Sequence, residues 1–197
     1  MIPNFAPATP LRSAAAHPYI RGKLHRGKAV TVSLFTFVDL YSKGLTTLDH
    51  LLTKGAAFAA EKGVSETEML GWRLIDDMNP LSFQAIVVIN FSKQWPARAA
   101  GLPVPENIAE DQDLAGYKAE IARAKAFLAE LKPAQFTGRD EAPVTFDLGV
   151  MEPTLPAAQW LTGFSTTNFY FHLSIAYAIL RNRGVPLGKV DLFAGGL

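Results

Sequence analysis

Apolar side chains recur at alternating steps of three and four residues through most of the chain after residue 31. The first such stripe consists of Val38, Tyr41, Leu45, Leu48 and Leu52. This spacing places the stripe on one face of an α-helix, as a helical bundle requires. Gly63 is a typical C-terminal stop for that helix. Ser65 followed by Glu68 forms a capping-box pattern and predicts a short helical turn.

Two further stretches show the same spacing and predict a second and a third long helix. The second helix is expected over Leu81–Ala100, with the stripe Leu81, Gln84, Val88, Phe91 and Trp95. Asp113 is a plausible N-cap of the third helix. Its stripe is Leu114, Tyr117, Ile121, Ala124, Leu128 and Leu131, and Pro133 ends it. Gln84 is a polar residue at a position that faces the other helices.

The period changes over residues 142–155. Val144, Phe146 and Leu148 alternate with polar residues, and Gly149 then breaks the pattern. Alternation with a period of two is typical of a strand, and the glycine indicates a turn. This stretch therefore predicts a short β-hairpin before the last helix.

A fourth long helix is expected over residues 157–183. Its segment Asn168–Leu180 is apolar on nearly every side, so the helix is predicted to be the central element, surrounded by protein. Gly184 supplies the stop. The following residues are expected to pack back through Val185, Leu187 and Leu192. The predicted fold class is therefore all-α, a four-helix bundle with one short hairpin.

Composition agrees with a folded helical domain and excludes several kinds of site. The chain has 197 residues, of which 49% are hydrophobic and 19% charged, so it can bury a core without disulfides. It contains no cysteine, which excludes disulfides, thiolate zinc sites and a cysteine nucleophile. The chain has no run of 18 apolar residues, so no membrane span is predicted. We expect a cytoplasmic protein.

Charge divides the chain into two parts. Residues 1–31 carry five Lys or Arg and no Asp or Glu, whereas residues 32–197 carry 14 basic and 18 acidic side chains. Residues 1–31 contain four prolines and lack an apolar period, so we expect them to be a disordered tail or the product of a mis-called start. Residues 32–197 are expected to form the bundle domain. The mildly acidic domain predicts neither a nucleic-acid nor an anionic-membrane surface.

His172 is the most informative candidate for a site. It lies on the most apolar helix, where an imidazole needs hydrogen-bond partners, and Asn168 precedes it by four residues. Gln84, Asn168, His172 and Tyr177 are the candidate pocket residues, with a satisfied core histidine as the alternative interpretation. His50 falls off the apolar stripe of the first helix and is expected to be a solvated surface residue. No catalytic residue is predicted.

Two blocks of the sequence resemble a bacterial domain-of-unknown-function family, number nineteen ninety-three. They are Asn168-Phe-Tyr-Phe-His172, continuing to Gly184-Val-Pro-Leu-Gly-Lys189-x-Asp191, and Asp77-Met-x-Pro-Leu81-x-x-Gln84. The resemblance implies a DinB/YfiT-like four-helix bundle, often dimeric. It also implies that members with a site bind a divalent metal through three histidines, and that some are thiol-dependent transferases or hydrolase-like enzymes.

The sequence departs from that family pattern. Gln84 stands near the position expected for a histidine of the second helix, and Gly163 stands where relatives often have histidine. His172 is the one plausible metal ligand, so no metal or other cofactor is predicted. The favoured function is a metal-free binding or interaction domain with a polar pocket around His172. A metal- or thiol-dependent enzyme and a scaffold dimer are the alternatives. The expected partners are a second copy, as a homodimer, and a small-molecule ligand.

Overall fold

A computed structural model describes residues 32–196, and its architecture is a bundle of four long helices. The helices and strands, in chain order, are α1 (Thr36–Glu61), α2 (Glu66–Leu70), α3 (Leu81–Ala100), α4 (Leu114–Glu130), β1 (Pro143–Thr145), β2 (Thr154–Pro156), the short α5 (Ala157–Gln159) and α6 (Thr166–Asn182). The all-α fold with a hairpin before the last helix is confirmed. The prediction for residues 1–31 lies outside the described residues.

Local sequence signals set the helix ends as predicted. Ser65 Oγ accepts a hydrogen bond from the Glu68 amide at the start of α2, and Asp113 Oδ1 accepts one from the Gly116 amide at the start of α4. Gly63 follows α1 with a positive φ of 67°. Such a left-handed residue ends a helix at little cost when it is glycine.

The core lies between the four long helices. Helix α3 packs against α1, α4 and α6, and α1 packs against α4 and α6. The predicted stripe of α1 is buried throughout, and so is the corresponding stripe of α4 from Leu114 to Leu128. The segment after α6 packs back through Val185 and Leu187, which are buried. None of the helices within residues 32–196 combines the length and the hydropathy that crossing a bilayer requires.

The hairpin is short and stands over one end of α3. Strands β1 and β2 are antiparallel, with Val144 opposite Leu155. Phe146, Trp95, Trp160 and Phe164 form an aromatic cluster whose ring centroids lie 5.0–6.0 Å apart. The indole N–H of Trp160 donates to the Val144 carbonyl at 2.8 Å. The hairpin is therefore fastened to the bundle by aromatic packing.

The last helix runs over residues 157–182, as predicted, and contains a feature that was not predicted: Trp160–Ser165 form a π-helical segment before α6 begins at Thr166. The prediction that protein surrounds this helix is wrong, because Tyr170 is 40% exposed and Phe171 is 52% exposed. Apolar side chains make up much of any protein surface, so an apolar sequence alone does not establish burial on every side.

Candidate functional site

The structure brings Gln84 and His172 into direct contact. Gln84 lies in the first turn of α3 and His172 lies in the middle of α6, and these two helices pack side by side. The His172 Nδ1 atom is 2.7 Å from Gln84 Oε1. Gln84 is buried, and its amide nitrogen donates to the Asn79 carbonyl at 2.9 Å. Gln84, the polar residue in the apolar stripe of α3, thus links Asn79 to His172 through two hydrogen bonds.

These two hydrogen bonds determine which imidazole nitrogen of His172 carries the proton. Because the Gln84 amide nitrogen donates to a carbonyl, its Oε1 atom is the side that faces His172 and can only accept. His172 Nδ1–H must therefore be the donor. In the neutral imidazole this leaves the lone pair on Nε2.

The Nε2 atom of His172 is open to solvent. It has no hydrogen-bond partner within residues 32–196, where the only buried side-chain nitrogen or oxygen without a partner is Nε of Arg98. The imidazole ring is half-buried, between Phe83 at 5.9 Å and Phe171 at 5.1 Å between ring centroids. Burial lowers the pKa of His172 below its ordinary value. The site therefore presents a neutral imidazole lone pair between two aromatic rings.

The other two candidate residues lie on the same helix without joining this hydrogen-bond chain. Asn168 donates its amide N–H to the Phe164 carbonyl at 2.8 Å. Tyr177 is partly buried and packs against the core. Among the hydrogen bonds of residues 32–196, none links either residue to Gln84 or His172. Membership of Asn168 and Tyr177 in a shared pocket stays a prediction.

His50 lies at the surface with 37% of its side chain exposed, and it makes a contact that the sequence did not indicate. Its Nε2 atom donates to Asp191 Oδ1 at 2.6 Å, and Lys54 Nζ lies 3.1 Å from the same oxygen. The hydrogen bond from His50, and next the one from the Gly188 amide, hold the pKa of Asp191 well below its ordinary value. These contacts attach the 3₁₀ turn Lys189–Phe193 to α1. Asp191 and Lys54 carried no sequence signal for this pairing, because their partner lies far along the chain.

A second buried polar contact joins α1 to the π-helical segment. The Tyr41 hydroxyl lies 2.6 Å from Ser165 Oγ and 3.3 Å from Thr166 Oγ1. Burial raises the pKa of Tyr41 to about 12, against the opposing effect of these two hydrogen bonds. Tyr41 is thus a neutral hydroxyl that fixes the start of α6, with no sign of reactivity.

The residues do not fit a three-histidine metal site. Residues 32–196 contain no group of three His, Cys, Asp or Glu side chains close enough to hold a metal ion. His172 faces Gln84 on one side and aromatic rings on the other, and Gln84 uses its oxygen for the histidine. Catalytic zinc takes about three protein ligands, which this position does not supply.

Comparison with known proteins agrees with the fold. A family model described as a domain of unknown function (DUF1993) matches residues 35–193. The crystal structure of a DinB family member protein from Shewanella denitrificans is similar, with 28% sequence identity and a TM-score of 0.73. That similarity covers 79% of this chain and 88% of the other. No curated protein matches the chain.

Proposed function

Since the chain belongs to the DUF1993 family of unknown function and has the fold of a DinB family member, we propose that it is a metal-free binding domain centred on His172. The ligand is a small molecule that donates a hydrogen bond to Nε2. The observation that supports this function is the Gln84–His172 hydrogen bond, because it directs the proton to Nδ1 and leaves Nε2 as an acceptor.

The surroundings of His172 favour an uncharged, partly aromatic ligand. Phe83 and Phe171 are both partly exposed beside the imidazole, and edge-to-face contacts with such rings stabilise a bound ring. Burial lowers the pKa of His172, so the imidazole is neutral at physiological pH and suits an uncharged ligand. A ligand with an N–H or O–H group on a flat ring matches both the Nε2 acceptor and the aromatic rings beside it.

Nitrogen-15 NMR of the imidazole, with indole as the probe, tests this function. In the free protein we expect an unprotonated Nε2 and a protonated Nδ1 at pH 8. Indole should shift the Nε2 resonance, whereas N-methylindole, which lacks the donor, should not. The variant Gln94→Ala is the matched control, because the Gln94 amide bonds to Pro105 and Asn107 instead, and it should behave as the wild type. Equal shifts with both probes, or none with indole, would contradict the proposal.

Titration with Zn²⁺ separates this function from the metal-dependent alternative. We expect no stoichiometric complex that depends on His172. A 1:1 complex that His172→Gln abolishes would favour the enzyme, and the binding proposal would then be withdrawn.

The exposed rings of Phe83 and Phe171 favour self-association as a second candidate function. In a scaffold dimer, a second copy would cover this face of α3 and α6, which monomers rarely leave apolar over a large area. Sedimentation equilibrium of the wild type and of Phe171→Glu tests it. A dimer that this substitution dissociates supports the scaffold, and a monomeric wild type rejects it.

A further inference from the structure

A cavity unrelated to His172 lies between α1, α6 and the carboxy-terminal turn. Its volume is about 400 Å³, which is within the range of small-molecule sites. The lining is mostly apolar and includes Leu40, Gly44, Tyr170, Leu173, Leu192 and Phe193. The cavity is thus of the size and character that a compact organic molecule fills.

The outer wall of this cavity is held in place by polar contacts with α1. Thr47 Oγ1 donates to the Leu192 carbonyl and accepts from the Gly195 amide, both at 3.3 Å. Asp191 adds its contacts with His50 and Lys54. A Cβ atom on Gly195 would overlap the Lys43 carbonyl, so the turn lies directly against the α1 backbone. The wall is therefore formed before any ligand arrives, which lowers the cost of binding.

Tyr170 brings a free hydrogen-bonding group to the lining. Its hydroxyl has no hydrogen-bond partner within residues 32–196. Burial raises the pKa of Tyr170, so the hydroxyl is neutral at physiological pH and can donate or accept. The two charged lining residues, Lys43 and Asp39, pair with each other at 2.9 Å and leave the lining without a net charge of its own.

We propose that this cavity binds a small, uncharged, mainly apolar molecule that carries one hydroxyl group, and that the Tyr170 hydroxyl bonds to it. The apolar lining contributes most of the affinity, and Tyr170 determines the preference for a hydroxylated ligand. The cavity shares no residue with the Gln84–His172 pair, so this proposal does not depend on the binding function proposed there.

Two matched probes test the assignment of Tyr170, namely 1-naphthol and naphthalene, with dissociation constants from fluorescence titration. Every protein in this test carries His172→Gln, because 1-naphthol also has the O–H group on a flat ring that is proposed to bind at His172. We expect this parent protein to bind 1-naphthol more tightly than naphthalene. Tyr170→Phe should weaken 1-naphthol binding about 5-fold, which corresponds to one hydrogen bond, and leave naphthalene binding unchanged. Tyr177→Phe, a tyrosine of the same helix outside the lining, should change neither. If Tyr170→Phe leaves the preference intact, the role of Tyr170 is wrong.

A cavity-filling variant tests the location. Leu40→Trp places extra volume in the lining from α1 and, in the same His172→Gln parent protein, should abolish binding of both probes. Circular dichroism establishes that each variant is folded. If Leu40→Trp is folded and still binds either probe, or if the His172→Gln parent protein binds neither probe, the proposal is overturned. If this variant does not fold, Tyr170→Phe decides alone.

Discussion

The Gln84–His172 hydrogen bond predicts a measurable coupling between two helices. Gln84→Met keeps the length of the side chain but removes the acceptor, which leaves the half-buried Nδ1–H of His172 unpaired. His172→Phe keeps a ring between Phe83 and Phe171 but removes the donor, which leaves the buried Gln84 oxygen unpaired. An unpaired buried polar group costs about 1–3 kcal/mol, so each single variant should lose that amount of unfolding free energy.

The double variant removes both the donor and the acceptor, so neither atom of this hydrogen bond is left unpaired. It should therefore be less destabilised than the sum of the two single variants, by about 1 kcal/mol. Urea denaturation at pH 8, where His172 is neutral, measures all four proteins, and the m-value should stay constant.

Gln94→Met provides the matched control. Gln94 lies on the same helix as Gln84, about 15 Å further along its axis, and its amide bonds to Pro105 and Asn107 instead. Its effect should add to that of His172→Phe within about 0.5 kcal/mol. Strictly additive effects of Gln84→Met and His172→Phe would refute the reasoning, because the hydrogen bond would then contribute nothing specific to that pair.

Two further predictions concern α1 and its contacts. Gly44→Ala should destabilise the fold by about 1–3 kcal/mol in the same urea assay, because the added methyl would overlap the buried ring of Phe169. Gly163→Ala, where a Cβ meets nothing within 4 Å, should be neutral or stabilising by up to about 1 kcal/mol, and equal effects would contradict this account. Because the folded-state pKa of Asp191 is depressed, its stabilisation is present above the unfolded pKa of about 4 and is lost as pH falls further. Asp191→Asn should therefore flatten the acid limb of stability below about pH 5, and an unchanged limb would disprove the role of this carboxylate.

Most of the fold could be predicted from local sequence signals. The alternation of three- and four-residue steps predicted the long helices, because burial of one face imposes that spacing directly on the sequence. The caps at Ser65 and Asp113 were predictable for the same reason, since a side chain and an amide three residues apart suffice to form them. The family resemblance, confirmed by the match over residues 35–193, supplied the arrangement of the helices.

Features that depend on distant parts of the chain were not predictable. The pairing of His50 with Asp191 joins residues 141 positions apart, and neither neighbourhood shows a pattern that requires the other. Gln84 and His172 were both identified as candidates from their apolar surroundings, but only the packing of α3 on α6 shows that they bond. The π-helical segment spans six residues, which is too short for a change of period to stand out in the sequence.

The attachment of the carboxy-terminal turn to α1 also affects how the protein is made. The ribosome adds Asp191 141 positions after His50. At roughly 5–20 residues per second, synthesis of that stretch takes about 7–28 s. During this interval Thr47, His50 and Lys54 lack the native partners that the carboxy-terminal turn supplies. A chaperone that recognises the uncovered side of α1 would have that long to act before the last turn displaces it.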